Sequence, residues 1–398
     1  MNILLLTPLY KIEGRGTLQR NTEAIHYLIK YWVHEENINL YVVNTYLNPG
    51  RNMLFLLKKG EIKNYKTEYD YVVDGVNVHL TEVQQIPFQR RFWSLQNNKM
   101  LQAVQEVISN KKIKPDLIIA HFPIRYIGMI DKIPSDAPRV AVMHYTDVRL
   151  CRKHMSHVQE LNTLFKATYT RSQSLKRDCQ ELGITNLSEF VVHSGVPYAE
   201  CPPKTAVSFH KGKIIQLLYI GKLIKRKHAD YIIQALGKLK GRYSFELKIG
   251  GSGPEKAALQ KLAEANGVSD QVKFIGTMSR EDVYRQMSQA DIFIMPSVEE
   301  TLGLVYLEAM MHGCITVGTE GEGIDGIIKH GKNGFLVKPS NMNSVYENLK
   351  EILEMPDDVL TSISKAAVES GKYYNEADMS MRYLKEMQRI TGKEAPVR

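Results

Sequence analysis

The sequence predicts two α/β domains in tandem, each built on a parallel sheet, and three observations lead there. Short apolar, β-rich runs alternate with helical patterns along the whole chain. The chain has 398 residues, more than one hydrophobic core usually organises. The alternation breaks once, between Val196 and Gly212, where Pro197, Pro202, Pro203 and Gly212 stand among Ser, Thr and Lys residues.

In the first half the expected strands are Ile3–Pro8, Asn39–Tyr46, Val76–Glu82, Asp116–Phe122, Arg139–Tyr145, Ala167–Ser172 and Phe190–Val196. Several are apolar without alternation, as strands covered on both faces should be. A helical stripe of Ile25, Leu28, Ile29 and Trp32 follows the first strand. Past the break the expected strands are Ile214–Gly221, Phe245–Gly251, Val272–Thr277, Asp291–Ser297, Cys314–Gly318 and Gly334–Val337. Ser279 with Asp282 has the spacing of a helix cap just before the Asp291 strand. The expected division is a first domain over 1–196, a linker over 197–212, a second domain over 213–374 and a final helical stretch over 375–398. Domains of this kind bind ligands outside the carboxyl ends of their strands.

Composition narrows the function classes. Hydrophobic residues at 43% and charged residues at 24% are ordinary for a globular protein, and no apolar run is long enough to span a bilayer. The opening Met1–Leu6 run lacks a basic leader and a cleavage site, so it reads as a buried strand and the expected location is the cytoplasm. Cys151, Cys179, Cys201 and Cys314 are scattered, with neither a disulfide framework nor a metal spacing, so no metal is expected. The net charge of +9 is spread along the chain without a nucleic-acid motif, which favours an anionic membrane surface or a phosphorylated substrate over DNA or RNA.

Three segments carry chemistry. In Pro296–Met310 a strand ends, a loop carries Glu300, and a helix starts near Gly303 with Glu308 about a turn in. The N–H groups of Leu304 and Val305 can face an anion, while the two carboxylates, which would repel phosphate, suit sugar hydroxyls. A capped helix with one solvated acid explains the same spacing. In Gly221–His228 a tight turn and a cluster of cations, Lys222 and Lys227 among them, follow the first strand of the second half. That arrangement suits a diphosphate, or is a solvated basic loop. Gly250-Gly251-Ser252-Gly253-Pro254 is a further Gly-rich turn from strand to helix.

Together these segments resemble family four of the glycosyltransferases, the retaining group 1 enzymes of GT-B fold, over nearly the whole chain and most specifically between Ile214 and Val337. The family's Glu-x7-Glu signature matches Glu300 and Glu308 with Gly303 between them. Its diphosphate turn matches Gly221, Lys222, Leu223 and Lys227, its G-x-G-P turn matches Gly251 to Pro254, and its later Gly-rich motif matches Gly331 to Val337. The resemblance implies two Rossmann-like α/β/α domains facing across a cleft, with the C-terminal helix returning to the N-terminal domain. It also implies that Lys222 and Lys227 hold the donor diphosphate, Glu308 the ribose and Glu300 the donor sugar, with the base near Thr277 and Met278. In the first domain it points to Gly14 and Gly16 after the first strand and to His121 at the end of a later one, with His144 as runner-up. The chain departs from the pattern at Lys222, where Arg is usual, at His228, where Gly is usual, and at Glu322-Gly323-Ile324-Asp325-Gly326. The Gly14–Gly16 loop also lacks the usual adjacent glycine pair.

The implied reaction is transfer of a sugar from a nucleoside diphosphate sugar, UDP-sugar favoured, to a hydroxyl of a glycan or lipid-linked acceptor, in cell-surface polysaccharide biosynthesis. No cofactor is implied beyond that co-substrate, and no D-x-D motif for a metal-held diphosphate is present. A nicotinamide dehydrogenase is disfavoured because Gly14-Arg15-Gly16 is followed by Gln19, and no P-loop exists for an NTPase. A GT-B epimerase and a non-catalytic sugar-binding subunit remain as alternatives. Met53–Lys59 and Phe88–Trp93 set apolar residues beside cations, which suits peripheral attachment to the inner membrane face or a local helix with solvated lysines.

Overall fold

Strand β1 (Asn2–Thr7) shows in six residues how the first sheet is buried. Side chains alternate across a strand, and here Leu4 and Leu6 enter one core with Ile118, Ala120, Ala141 and Met143. Ile3 and Leu5 enter another with Leu117, Ile119, Val140 and Val142. The unalternating apolar run is therefore a central strand with a core on each face. In this computed structural model, residues 1–11, 23–48, 68–84, 93–197 and 214–392 are described.

The chain divides into two units, Met1–Arg171 with Leu175–Ser194 and Met379–Arg398, and Gly195–Asp378 with Ser172–Ser174. In the first, β2 (Asn39–Asn48), β3 (Glu68–Val73), β4 (Val76–Gln84), β5 (Leu117–His121), β6 (Arg139–Met143), β7 (Ala167–Thr170) and β8 (Leu187–Val191) join β1 in the order β3-β4-β2-β1-β5-β6-β7-β8. All pairings are parallel except β3 with β4. In the second, β9 (Ile215–Ile220), β10 (Phe245–Gly250), β11 (Val272–Gly276), β12 (Ile292–Ile294), β13 (Ile315–Thr319) and β14 (Phe335–Val337) form a parallel sheet ordered β11-β10-β9-β12-β13-β14. Its core draws on the helices Ala229–Leu239, Leu304–Met311, Met342–Glu354 and Asp357–Tyr373.

Two strands differ from the sequence reading. β3 went unread because its Glu-Tyr-Asp-Tyr alternation belongs to an exposed edge strand, not to a buried parallel one. It pairs antiparallel with β4 through Asp74-Gly75, both at positive φ, as a tight hairpin turn requires. The strand expected at Phe190–Val196 is β8 at Leu187–Val191; Val192 and Val196 are buried without being part of it. Ser279 caps the Arg280–Gln289 helix as its spacing suggests, accepting the Asp282 N–H at 3.1 Å. The 197–212 segment, apart from Pro197, and the membrane-facing candidates Met53–Lys59 and Phe88–Trp93, apart from Trp93, lie outside the described residues. Among the described residues no helix is long and apolar enough to cross a membrane.

The helix Glu376–Thr391 completes the first unit's second core. Its Tyr383 ring lies 5.0 Å from that of Trp32, whose indole N–H donates to the Ser380 carbonyl at 3.0 Å. Ser380 Oγ donates to the Leu28 carbonyl at 2.7 Å, and Tyr169 donates to Glu386 at 2.9 Å. The Trp32 replacement that keeps an aromatic ring but loses the donor, Trp32→Phe, removes the second hydrogen bond to the Ser380 carbonyl, which keeps its bond within the helix, and leaves a gap the smaller ring does not fill. It should cost about 1–3 kcal/mol, read as a lower denaturant midpoint with faster amide exchange in the final helix.

Candidate functional site

In the second unit the loops that leave the carboxyl ends of β9, β10, β11 and β12 are neighbours, because those strands are adjacent in the sheet. Backbone bonds lace the loops together. The Gly221 N–H donates to the Gly250 carbonyl at 3.0 Å, Leu223 N–H to Ser252 at 2.9 Å, and Gly251 N–H to Gly276 at 2.6 Å. The Gly251 and Gly253 positions are explained by this contact. A Cβ on Gly251, at φ +125°, would stand 1.9 Å from the Gly221 carbonyl oxygen, and one on Gly253 2.2 Å from that of Leu223. These glycines seat one loop on the next, a role the motif alone does not reveal. Gly250 is shielded by the Met278 methyl, beside the exposed Thr277.

The basic turn and the Glu300 loop meet. Lys227 Nζ bonds Glu300 Oε2 directly, with Ser297 Oγ 3.2 Å from the same oxygen and Arg226 Nη1 at 3.7 Å. Arg226 Nη1 also donates to the carbonyls of Val298 and Glu299, at 3.0 and 3.2 Å, and the Val298 N–H donates back to the Arg226 carbonyl. From the other side Glu322 Oε2 accepts the Glu300 N–H at 2.7 Å, and the Gly323 N–H donates to the Glu300 carbonyl. Glu300 is thus gripped at its main chain and its carboxylate. Arg226 and Glu322 went unread as members of this site; Glu322 had stood out only as a departure from the family pattern. Lys222 is exposed, and its carbonyl accepts the Tyr219 hydroxyl at 3.0 Å.

Gly303 precedes the Leu304–Met311 helix at φ +76°, ψ +74°, where a Cβ would run into the Tyr306 ring. The Leu304 and Val305 N–H groups begin this helix and so have no partner within it. Glu308, one turn on, accepts from Arg280 Nη2 at 3.3 Å, while Arg280 Nε donates to Tyr284 at 2.7 Å. Arg280 is a further member that spacing did not reveal. His228 sits at φ +48°, ψ +40°, immediately before the Ala229–Leu239 helix. That left-handed conformation explains why Gly is usual here, and costs a side chain roughly 1–2 kcal/mol. Stacking of its ring on Tyr231, 4.3 Å away and 9° from parallel, offsets part of the cost.

In the first unit His121 ends β5, wholly buried. Its Nδ1 lies 3.1 Å from Nε2 of His144, and its Nε2 lies 3.4 Å from the Tyr383 hydroxyl. Burial pushes both imidazoles well below the usual histidine range, aided by the positive charge of Arg171, so both are neutral near pH 7. Phe122, at φ +60°, stacks on His144 at 3.7 Å. Gly14 and Gly16 lie outside the described residues.

Residues 204–370 match the family model described as Glycosyl transferases group 1. An uncharacterized glycosyltransferase of Methanocaldococcus jannaschii is 28% identical over 60% of this chain and 66% of its own length. A lipopolysaccharide core biosynthesis glycosyltransferase of Rhizobium meliloti is 31% identical over 34% of this chain and 39% of its own. The chain therefore spans between about two fifths and two thirds of these relatives. Anabaena HepE, solved in complex with UDP and glucose, superposes with a TM-score of 0.65 at 16% identity, covering 98% of this chain and 100% of that one. The fold is thus GT-B: two α/β units with Rossmann-like parallel sheets.

Beside the two histidines, Asp147 is 1% exposed and accepts the His144 N–H at 2.9 Å. Burial pushes its carboxyl up to about 7, against 3.8 in the unfolded chain. The raised value means that the folded state binds the proton more tightly. The stability it contributes is complete below pH 3.8 and is lost as pH rises to about 7. Asp147→Asn keeps an oxygen for the His144 N–H and removes the titration. Thermal melts between pH 5 and 8 should show a shallower loss of stability in the variant than in the wild type.

Proposed function

We propose that this chain is a retaining glycosyltransferase that moves a sugar from a nucleoside diphosphate sugar, UDP-sugar favoured, to a hydroxyl of a glycan or lipid-linked glycan. The observation that carries the reading is the Lys227–Glu300 pair, held at the carboxyl ends of β9 and β12 beside the start of the helix bearing Glu308. The match over residues 204–370 covers every one of these groups. A UDP complex of a protein of the same fold supports the donor class, and the lipopolysaccharide relative supports cell-surface polysaccharide as the product. We place the enzyme in the cytoplasm, on the inner face of the membrane where a lipid-linked acceptor would be met.

In the free protein Lys227 and Glu300 neutralise each other. A donor diphosphate offers Lys227 a stronger anion, and the carboxylate it leaves can accept a hydroxyl of the transferred sugar. Lys222, exposed on the same turn, adds a second cation, and the Leu304 and Val305 N–H groups a helix terminus. These groups stabilise the charge that develops on the departing diphosphate without a metal. Glu308, held by Arg280, is set to receive the ribose hydroxyls, and the backbone at Thr277 and Met278 the base. Gly221, Gly251 and Gly253 keep this loop stack tight. His121, neutral and buried, would contact the donor sugar or orient the acceptor.

Nucleotide release from a panel of UDP-, GDP- and ADP-sugars, measured without acceptor, tests the reading. One donor should turn over slowly, and Lys227→Ala should lower that rate by about 10²–10³. Glu308→Ala should chiefly weaken donor binding. Silence across the panel with no nucleotide binding by calorimetry would sink the proposal and favour a non-catalytic subunit.

A further inference from the structure

We propose that the first unit holds an oxyanion at Arg171, and that the group it takes is a phosphate or carboxylate carried by the acceptor. The word acceptor rests on the function proposed above; the anion site does not.

Arg171 follows β7 directly and is 3% exposed. Its Nη2 donates to Ser194 Oγ, whereas Nε and Nη1 have no partner. No carboxylate among the described residues pairs with it. Burial draws its pKa down only to about 10, so it stays charged at neutral pH. A buried guanidinium with idle donors and no counter-charge is costly, and such groups are found paired. Among the described residues, no group that acts on its charge supplies the missing one. His121, His144 and His193 are all driven towards the neutral form by burial, with Arg171 adding to the effect. The Tyr383 hydroxyl, raised by burial, stays protonated.

The placement is that of a binding site. β5, β6, β7 and β8 are consecutive in the sheet, so His121, His144, Arg171 and the His193-Ser194 pair stand at four neighbouring carboxyl ends. The idle Nε and Nη1 of the guanidinium, with the Ser194 hydroxyl beside them, form a donor set that fits the several oxygens of a phosphate or carboxylate. His193 and Phe122 are partly exposed, which gives the cluster a route to solvent. The lysines assigned to the donor diphosphate belong to the other unit.

Calorimetry and thermal unfolding of the intact chain, with inorganic phosphate and with acetate as probes, test the site. Wild type should bind phosphate with one-to-one stoichiometry and melt on the order of 5 °C higher at a hundredfold excess over the dissociation constant. Arg171→Met should lose both responses, yet melt higher than wild type without anion, because a buried unpaired charge is gone. Arg171→Lys, which keeps the charge, should bind at least tenfold more weakly than wild type. Lys227→Ala should respond as wild type does. No binding by wild type, an equal response in Arg171→Met, or a response lost only in Lys227→Ala would each overturn the site. Methyl phosphate should compete with inorganic phosphate, as a group carried on a larger molecule must; failure to compete would mark a site for the free ion and overturn the acceptor assignment. Binding of acetate as well would extend the class to carboxylates, and its absence restrict it to phosphates. If wild type binds no nucleotide but still titrates with phosphate, the transferase reading fails and the anion site stands.

Discussion

Parallel strands deliver all their carboxyl ends to one edge of a sheet, and in both units the residues proposed to carry chemistry stand on that edge. In the second unit this brings the turn after β9 against the loop after β12, so that Lys227 and Glu300, 73 residues apart, bond directly. In the first unit the same geometry lines up His121, His144 and Arg171. Everything else described for the two sites, from the glycine stack to the Glu322 bond, trims the positions that this constraint has already set.

Much of the architecture was legible because burial on both faces leaves a strong mark in sequence. Ile3–Leu6 and the strand ending at His121 are uninterrupted apolar runs, and they are strands. Signals weakened where a strand lies at an edge. β3 alternates polar and apolar residues and so lacks the mark of a buried strand, although Asp74-Gly75 carries a hairpin signature; the expected strand at Phe190–Val196 lies a few residues later than β8 because Val192 and Val196 are apolar without belonging to it.

The candidate site was legible in part for a related reason. Spacing along a helix or after a strand identifies residues such as Glu300, Glu308 and Lys227, whose positions are fixed by their own element. Arg226, Arg280 and Glu322 act across elements, on carbonyls, a carboxylate and an N–H, and no local period announces such bonds. The roles of Gly251 and Gly253 likewise depend on a neighbouring loop, which becomes visible only when the strands are paired. His228 runs the other way: the departure from Gly was noted in the sequence, and the backbone shows what the substitution has to bear.

The hydrogen bond from Trp32 to Ser380 joins residues 348 positions apart. A ribosome adding 5–20 residues per second would take roughly 17–70 s to travel that distance. For the part of that interval after β8 ends at Val191, the first sheet exists without the helix that closes one of its cores, and Trp32, Leu28 and Ile29 have no Tyr383 or Met387 to pack against. The second unit, whose last core helix ends at Tyr373, has its core residues made before Tyr383 and Met387 appear. The order of synthesis and the order of completion are therefore reversed, and the half made first is the one whose core stays open longest.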